Sequence, residues 1–344
     1  MHRIRDYITN VLNGMAWGLF SSLLVGLIIK QIGVLTKLEL LVTIGNICQK
    51  FMGPAIGVGV ALSIDAPILV ALSAVAVGAI GAGSVTLLEG SALISVGEPV
   101  GAFVASLIAS ELGKRIAGHT PVDIILVPMV SIVVGGLVGQ YIAPYVTQMM
   151  NALGALINYT TTLHPVSMGI LLSVLMGVIL TLPISSAALA ISLNLSGLAA
   201  AAATVGCCCN MIGYAVISYK DNDLGGSIAQ GLGTSMLQIP NLIKKPILWI
   251  PVIFSSAILG PISTAVFLME SKASGAGMGT SGLVGQFAMM EVMGHTPSVL
   301  FKIFLMHFLL PAILTYICYA FMKSRKWILA GDLTLRSMNK KNGK

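Results

Sequence analysis

Charge is what this sequence has least of. Asp, Glu, Lys and Arg make up 9% of its 344 residues, where a soluble domain carries about 25%. That scarcity excludes a soluble globular enzyme, a disordered chain and a nucleic-acid binder. Cysteine is present but unhelpfully placed. Cys48 and Cys318 stand in apolar runs, and Cys207, Cys208 and Cys209 are consecutive. Neighbours on a helix point about 100° apart and cannot converge on one metal. The five cysteines therefore read as small buried residues rather than as ligands or a disulfide framework. There is no H-E-x-x-H, no paired Cys/His spacing and no P-loop. No metal or other cofactor is expected, no catalytic residue can be named, and the sequence leaves open whether the chain is an enzyme.

What the sequence has is apolar residues, at 56%. A membrane-crossing helix needs about 20 of them in a row. Apolar spans fall at about 13–33, 40–63, 66–88, 92–113, 121–149, 166–190, 192–219, 246–270 and 298–322. The runs are continuous rather than alternating, which excludes a β-barrel. The expectation is an all-α polytopic membrane protein with about ten transmembrane helices. It would form a single transmembrane domain over 1–344 with a basic cytoplasmic tail at 323–344. The first apolar run is expected to be retained, because no A-x-A-like cleavage site follows it.

Basic residues set the orientation. Seven of the nineteen Lys and Arg lie after residue 322: Lys323, Arg325, Lys326, Arg336, Lys340, Lys341 and Lys344. His2, Arg3 and Arg5 precede the first span. Both termini are therefore expected in the cytoplasm, with an even number of crossings. Lys114 and Arg115 then fall inside, and Lys220, Asp221 and Asp223 outside. If 224–243 crosses as a broken helix, Lys244 and Lys245 return inside and 274–293 dips in from the outer side.

The segments 224–243 and 274–293 differ from the rest in being rich in Gly, Ser, Thr and Gln. Irregular backbone at membrane depth is tolerated only where it lines a cavity or is buried in protein, so such segments point to a solute site. Each carries the same pattern: Gly231-Leu232-Gly233-Thr234-Ser235 and Gly277-Met278-Gly279-Thr280-Ser281. Glycines admit sharp turns and close approach. Thr and Ser cap helix starts or lend hydroxyls to a ligand. Helix breaking and small-residue packing explain the same pattern without a ligand. Gly53-x-x-x-Gly57 and Gly135-x-x-x-Gly139 are packing signals of that kind.

Carboxylates inside the membrane are costly, at least about 2.5 kcal/mol each. Asp65 reads as a cap at a turn. Glu98 stands before Pro99, which is well placed in the first turn of a helix. It can cap that helix or accept hydrogen bonds from solute hydroxyls. His119 and His295 each follow Gly and precede Thr-Pro, placing them at helix ends. The candidate substrate-binding set is Glu98, Gly231, Gly233, Thr234, Ser235, Gln238, Gly279, Thr280, Ser281, Gln286 and His295.

Two stretches resemble a known family. One is Gly97-Glu98-Pro99-Val100-Gly101-Ala102-Phe103 with Val122-Asp123-Ile124-Ile125-Leu126-Val127-Pro128. The other is Gly277-Met278-Gly279-Thr280-Ser281-Gly282-Leu283-Val284-Gly285-Gln286. They are similar to the phosphotransferase-system EIIC-type membrane proteins, in the branch that holds the perfringolysin-regulator-like proteins. The resemblance covers roughly 10–325. It implies a permease component in the bacterial inner membrane that binds sugar between helices and re-entrant hairpins. It also implies a carboxylate that contacts sugar hydroxyls from a Gly-Ile-Thr-Glu-Pro-like loop, a separate IIB-type phosphocarrier partner and a homodimer. Glu98-Pro99 match the last two positions of that loop.

Three readings follow. The leading one is a permease for a polar solute, with a sugar first among candidates, in contact with the lipid bilayer and with no nucleic acid. The others are a membrane solute sensor that regulates another protein, and a secondary carrier that does not phosphorylate its solute.

Overall fold

The computed structural model describes residues 2–335. The tail positions Arg336, Lys340, Lys341 and Lys344 lie outside the described residues. Among the described residues five helices are long and apolar enough to cross a membrane: Tyr7–Val34, Asp123–Thr161, Gly197–Ile217, Pro246–Val266 and Pro297–Ser324. Met52–Ser63, Ile68–Gly81 and Pro165–Thr181 are shorter apolar helices. The protein is an all-α, multi-pass membrane protein. It divides into two compact units, residues 1–152 and 153–344, each described by itself.

In the N-terminal unit α1 (His2–Leu19) continues through a π turn (Phe20–Leu24) into α2 (Val25–Thr36). Then come α3 (Glu39–Lys50), α4 (Met52–Ser63), α5 (Ile68–Gly81) and α6 (Pro99–Ile116). Helices α1 and α4, α2 and α3, α4 and α5, and α5 and α6 pack as neighbours. Glycine permits it. A Cβ on Gly57 would lie 2.1 Å from the Ala74 carbonyl, and one on Gly53 would lie 2.6 Å from the Gly78 carbonyl. The backbones nearly touch, as small-residue membrane interfaces allow, and the Gly53-x-x-x-Gly57 expectation holds.

The apolar pattern misleads at 66–88 and 92–113. Helix α5 stops at Gly81, and an antiparallel hairpin follows, β1 (Val85–Leu88) with β2 (Ser91–Ile94). Gly83 (φ 61°) and Gly90 (φ 77°) take left-handed backbone there, which interrupts a helix and suits a tight turn. The long helix α7 (Asp123–Thr161) also runs past the expected end of its span, with Pro128 and Pro144 inside it.

The C-terminal unit takes the end of α7 and then α8 (Pro165–Thr181), α9 (Ser186–Ser192), α10 (Gly197–Ile217), α11 (Tyr219–Ile228) and α12 (Ile239–Lys244). After these come α13 (Ile250–Pro261), α14 (Ala273–Ala276), α15 (Val284–Met293), α16 (Pro297–Phe304) and α17 (Leu310–Ser324). Helix α10 is the axle. Its Ala-, Gly- and Cys-rich sequence lets α8, α13 and α17 close on it. A Cβ on Gly206 would lie 1.8 Å from the Ser173 carbonyl of α8. Cys207, Cys208 and Cys209 are fully buried in this helix, as small core residues.

Candidate functional site

Helix α10 fixes two ends for the C-terminal unit. At its start Ser196 and Gly197 bridge Lys272 and Ser271. At its other end it gives way to Ser218. Twenty-one residues of helix separate the two, about 30 Å.

The first Gly-rich segment leaves from the Ser218 end. Helix α11 is broken at Asp223 (φ 58°). A π turn (Ala229–Gly233) follows, then extended Thr234, a 3-10 turn (Ser235–Gln238) and α12. Asp223 takes left-handed backbone at the break, and Pro240 stands in the first turn of α12, where it needs no amide hydrogen. The segment then returns to where it began. Asp221 accepts from the Gly331 and Leu333 amides at 3.1 and 3.3 Å. At the segment's far end Lys245 pairs with Asp332 at 2.6 Å. Both ends are thus tied to one stretch of chain after α17. The segment is a re-entrant hairpin, which corrects the expectation that 224–243 crosses and that Asp221 lies on the opposite side from the tail.

The second segment enters from the other end. After the bridged pair Ser271 and Lys272 it forms α14, and then turns through Gly279 (φ 55°), Gly282 (φ 52°) and Leu283 (φ 60°) into α15. Its base is closed by an ion pair between Lys272 and Glu291, and Lys302 donates to the Phe267 carbonyl at 3.2 Å.

The two tips meet inside the unit. The Thr280 hydroxyl donates to the Gly231 carbonyl at 2.5 Å, and the Ser281 hydroxyl to the Gly233 carbonyl at 2.9 Å. The Thr-Ser pair of one pentapeptide therefore holds the two glycines of the other. Ser235 shares a 2.7 Å hydrogen bond with Thr181, which reaches Asn210 at 3.2 Å. Thr234 accepts from the Met236 amide at 3.1 Å, a local cap. Thr234, Ser235, Thr280 and Ser281 are all buried. Gly279 seats the second tip on α10, since a Cβ there would lie 2.8 Å from Cys207 Cβ.

Gln286 lies just beyond this clasp. Its amide nitrogen is 2.9 Å from His307 Nδ1 and 3.5 Å from Cys208 Sγ. Gln286 Oε1 and His307 Nε2 are buried with no hydrogen-bond partner among the described residues. His307 sits in a π turn (Leu305–Leu309) between α16 and α17, a local widening found often at functional sites. Sequence reasoning missed it. The available signal was a titratable side chain in the middle of an apolar span.

The remaining candidates lie elsewhere. Gln238 donates to Gln230 Oε1 at 2.8 Å and to the Leu333 carbonyl at 2.9 Å, at the base of the first hairpin. His295 is exposed in the loop between α15 and α16. Glu98 belongs to the N-terminal unit. It occupies the N-cap position of α6 (φ −109°, ψ 126°) without a side-chain cap bond, where the helix dipole favours a carboxylate. Gly97 (φ 73°) places its backbone, and the Glu98 amide donates to Ala82 at 2.9 Å.

A protein-family model described as Phosphotransferase system, EIIC, matches residues 9–335. No curated protein and no solved structure matches the chain.

Proposed function

The chain belongs to the phosphotransferase-system EIIC family, the membrane permease components of a sugar-transport system, and on that premise we propose that its solute binds where the two hairpin tips meet. The observation that carries this reading is the Thr280–Gly231 and Ser281–Gly233 clasp, in which two interrupted segments from opposite ends close on each other. Interrupted helices paired at mid-depth are how transporters expose backbone polar groups to a cargo. The bonds of the clasp are hydroxyl-to-carbonyl bonds, the kind a sugar hydroxyl makes and exchanges.

In the closed arrangement the Thr280 and Ser281 hydroxyls are spent on the clasp. Solute entry then requires the tips to part, which frees two hydroxyl donors and two carbonyl acceptors. Gln286 Oε1 and His307 Nε2 add further hydrogen-bonding capacity beside them. Glu98 is proposed as an acceptor for solute hydroxyls in its own unit.

A separate IIB-type phosphocarrier, homodimerisation and a bacterial inner-membrane location complete the proposal. Lys220, Lys244, Lys245, Lys323 and Arg325 gather at the Ser218 end of the C-terminal unit, which supports a cytoplasmic position for that end. Binding of a sugar panel to purified protein tests the reading, with Glu98→Gln and Ser281→Ala as variants. A sugar that binds the wild type and both variants equally well would remove these residues from the site.

A further inference from the structure

The stretch after α17 lies against the base of the first hairpin and is held by its backbone. Asp221 accepts from the Gly331 and Leu333 amides. Asn222 donates to the Leu333 carbonyl at 2.7 Å and accepts from the Leu335 amide at 2.6 Å. Gln238 donates to the Leu333 carbonyl at 2.9 Å, and Asn241 to the Thr334 carbonyl at 3.0 Å. In every case a hairpin side chain meets a peptide group. That is how a cleft recognises an extended peptide, with main-chain bonds for grip and pockets for choice. Choice enters at two positions. Leu333, fully buried, packs with Tyr214, Leu242 and Leu248. Asp332 pairs with Lys245.

We propose that the base of the first hairpin is a peptide-binding cleft and that the segment Ile328–Leu335 is its detachable occupant, a latch that governs the hairpin's freedom to move. The seated segment spans both ends of the hairpin, touching Asp221 and Asn222 at one and Asn241 and Lys245 at the other. Those four side chains are half-buried rather than sealed, so water can take over their bonds when the segment leaves; Gln238, fully buried, gives up its bond to the Leu333 carbonyl. Only Leu333 and Ile328 then have to give up an apolar pocket. A released hairpin keeps its tip clasp and its bonds to α10 and Ser218, from Ser227 to the Ala215 carbonyl and from Gln230 to Ser218, and loses the brace that joins its two ends. The inference goes beyond the transport reading and does not depend on it.

The test bridges the latch. In the full chain carrying Lys245→Cys and Asp332→Cys, a short bis-maleimide joins the two positions, and hydrogen–deuterium exchange of residues 226–238 is read with and without the bridge. The treated wild type controls for the native cysteines. The latch predicts at least tenfold slower exchange in the bridged protein, while equal exchange would overturn it. A second reading uses the unaltered protein. Amides of Gly331, Leu333 and Leu335 should exchange at least tenfold faster than those of α10, through opening of the latch. Protection equal to that of α10 would mean a permanently seated segment and would overturn the proposal. Neither readout involves a solute, so failure here is distinguishable from failure of the transport reading.

Discussion

The Thr280 hydroxyl donates to the Gly231 carbonyl at 2.5 Å across 49 residues of sequence. It joins two re-entrant hairpins that enter the C-terminal unit from opposite ends. With its companion bond from Ser281 to Gly233 it makes the tips one buried polar structure. Thr280→Val keeps the shape and removes the donor. The Gly231 carbonyl is then left buried without it, at a cost of about 1–3 kcal/mol. The variant should melt several degrees below the wild type in detergent. An unchanged melting temperature would mean that the bond contributes nothing to holding the tips.

Gly279 should tolerate no side chain. Its backbone is left-handed, and a Cβ would lie 2.8 Å from both Cys207 C and Cys207 Cβ. The left-handed conformation alone costs a non-glycine residue roughly 1–2 kcal/mol. Gly279→Ala should therefore be less stable than Thr280→Val, and thermal denaturation of the two variants side by side checks the order.

Cys207, Cys208 and Cys209 are fully buried, whereas Cys48 and Cys318 are half-buried. Maleimide labelling followed by mass spectrometry should find the three consecutive thiols unmodified in folded protein and modified after denaturation. Rapid labelling of Cys207 in native membranes would contradict the packing of the second tip against α10.

The ion pair between Lys272 and Glu291 closes the second hairpin, yet its side chains are 44% and 57% exposed. Exposed pairs contribute little, about 0–1 kcal/mol. Lys272→Met should shift the melting temperature far less than Gly279→Ala. A comparable shift would show that this base, rather than the tips, holds the hairpin.

The sequence made the hairpins visible because glycine and hydroxyl residues are conspicuous in an oily chain. Gly231 to Ser235 and Gly277 to Ser281 were marked by composition alone. That each binds the other was not legible, since hydrogen bonds 48 and 49 residues apart leave no local trace. The direction of the first hairpin was misread for a related reason. Lys244 and Lys245 invite a crossing by the positive-inside rule, but Asp221 and Lys245 both hold the segment after α17. The strands β1 and β2 were hidden because Val85–Leu88 extends an apolar run, and only Gly83 and Gly90 betray the turns. His307 stood alone among apolar neighbours in the last span, and its partner Gln286 comes from the second hairpin.

Protection of a tip thiol by solute tests the account most directly. With Ser281→Cys in the purified protein, maleimide labelling at residue 281 is followed with and without a saturating sugar identified by binding to the wild type. The account predicts that the sugar slows labelling at least fivefold and leaves labelling of Cys318 unchanged. Identical labelling at residue 281 with and without that sugar would place the cargo elsewhere and contradict it.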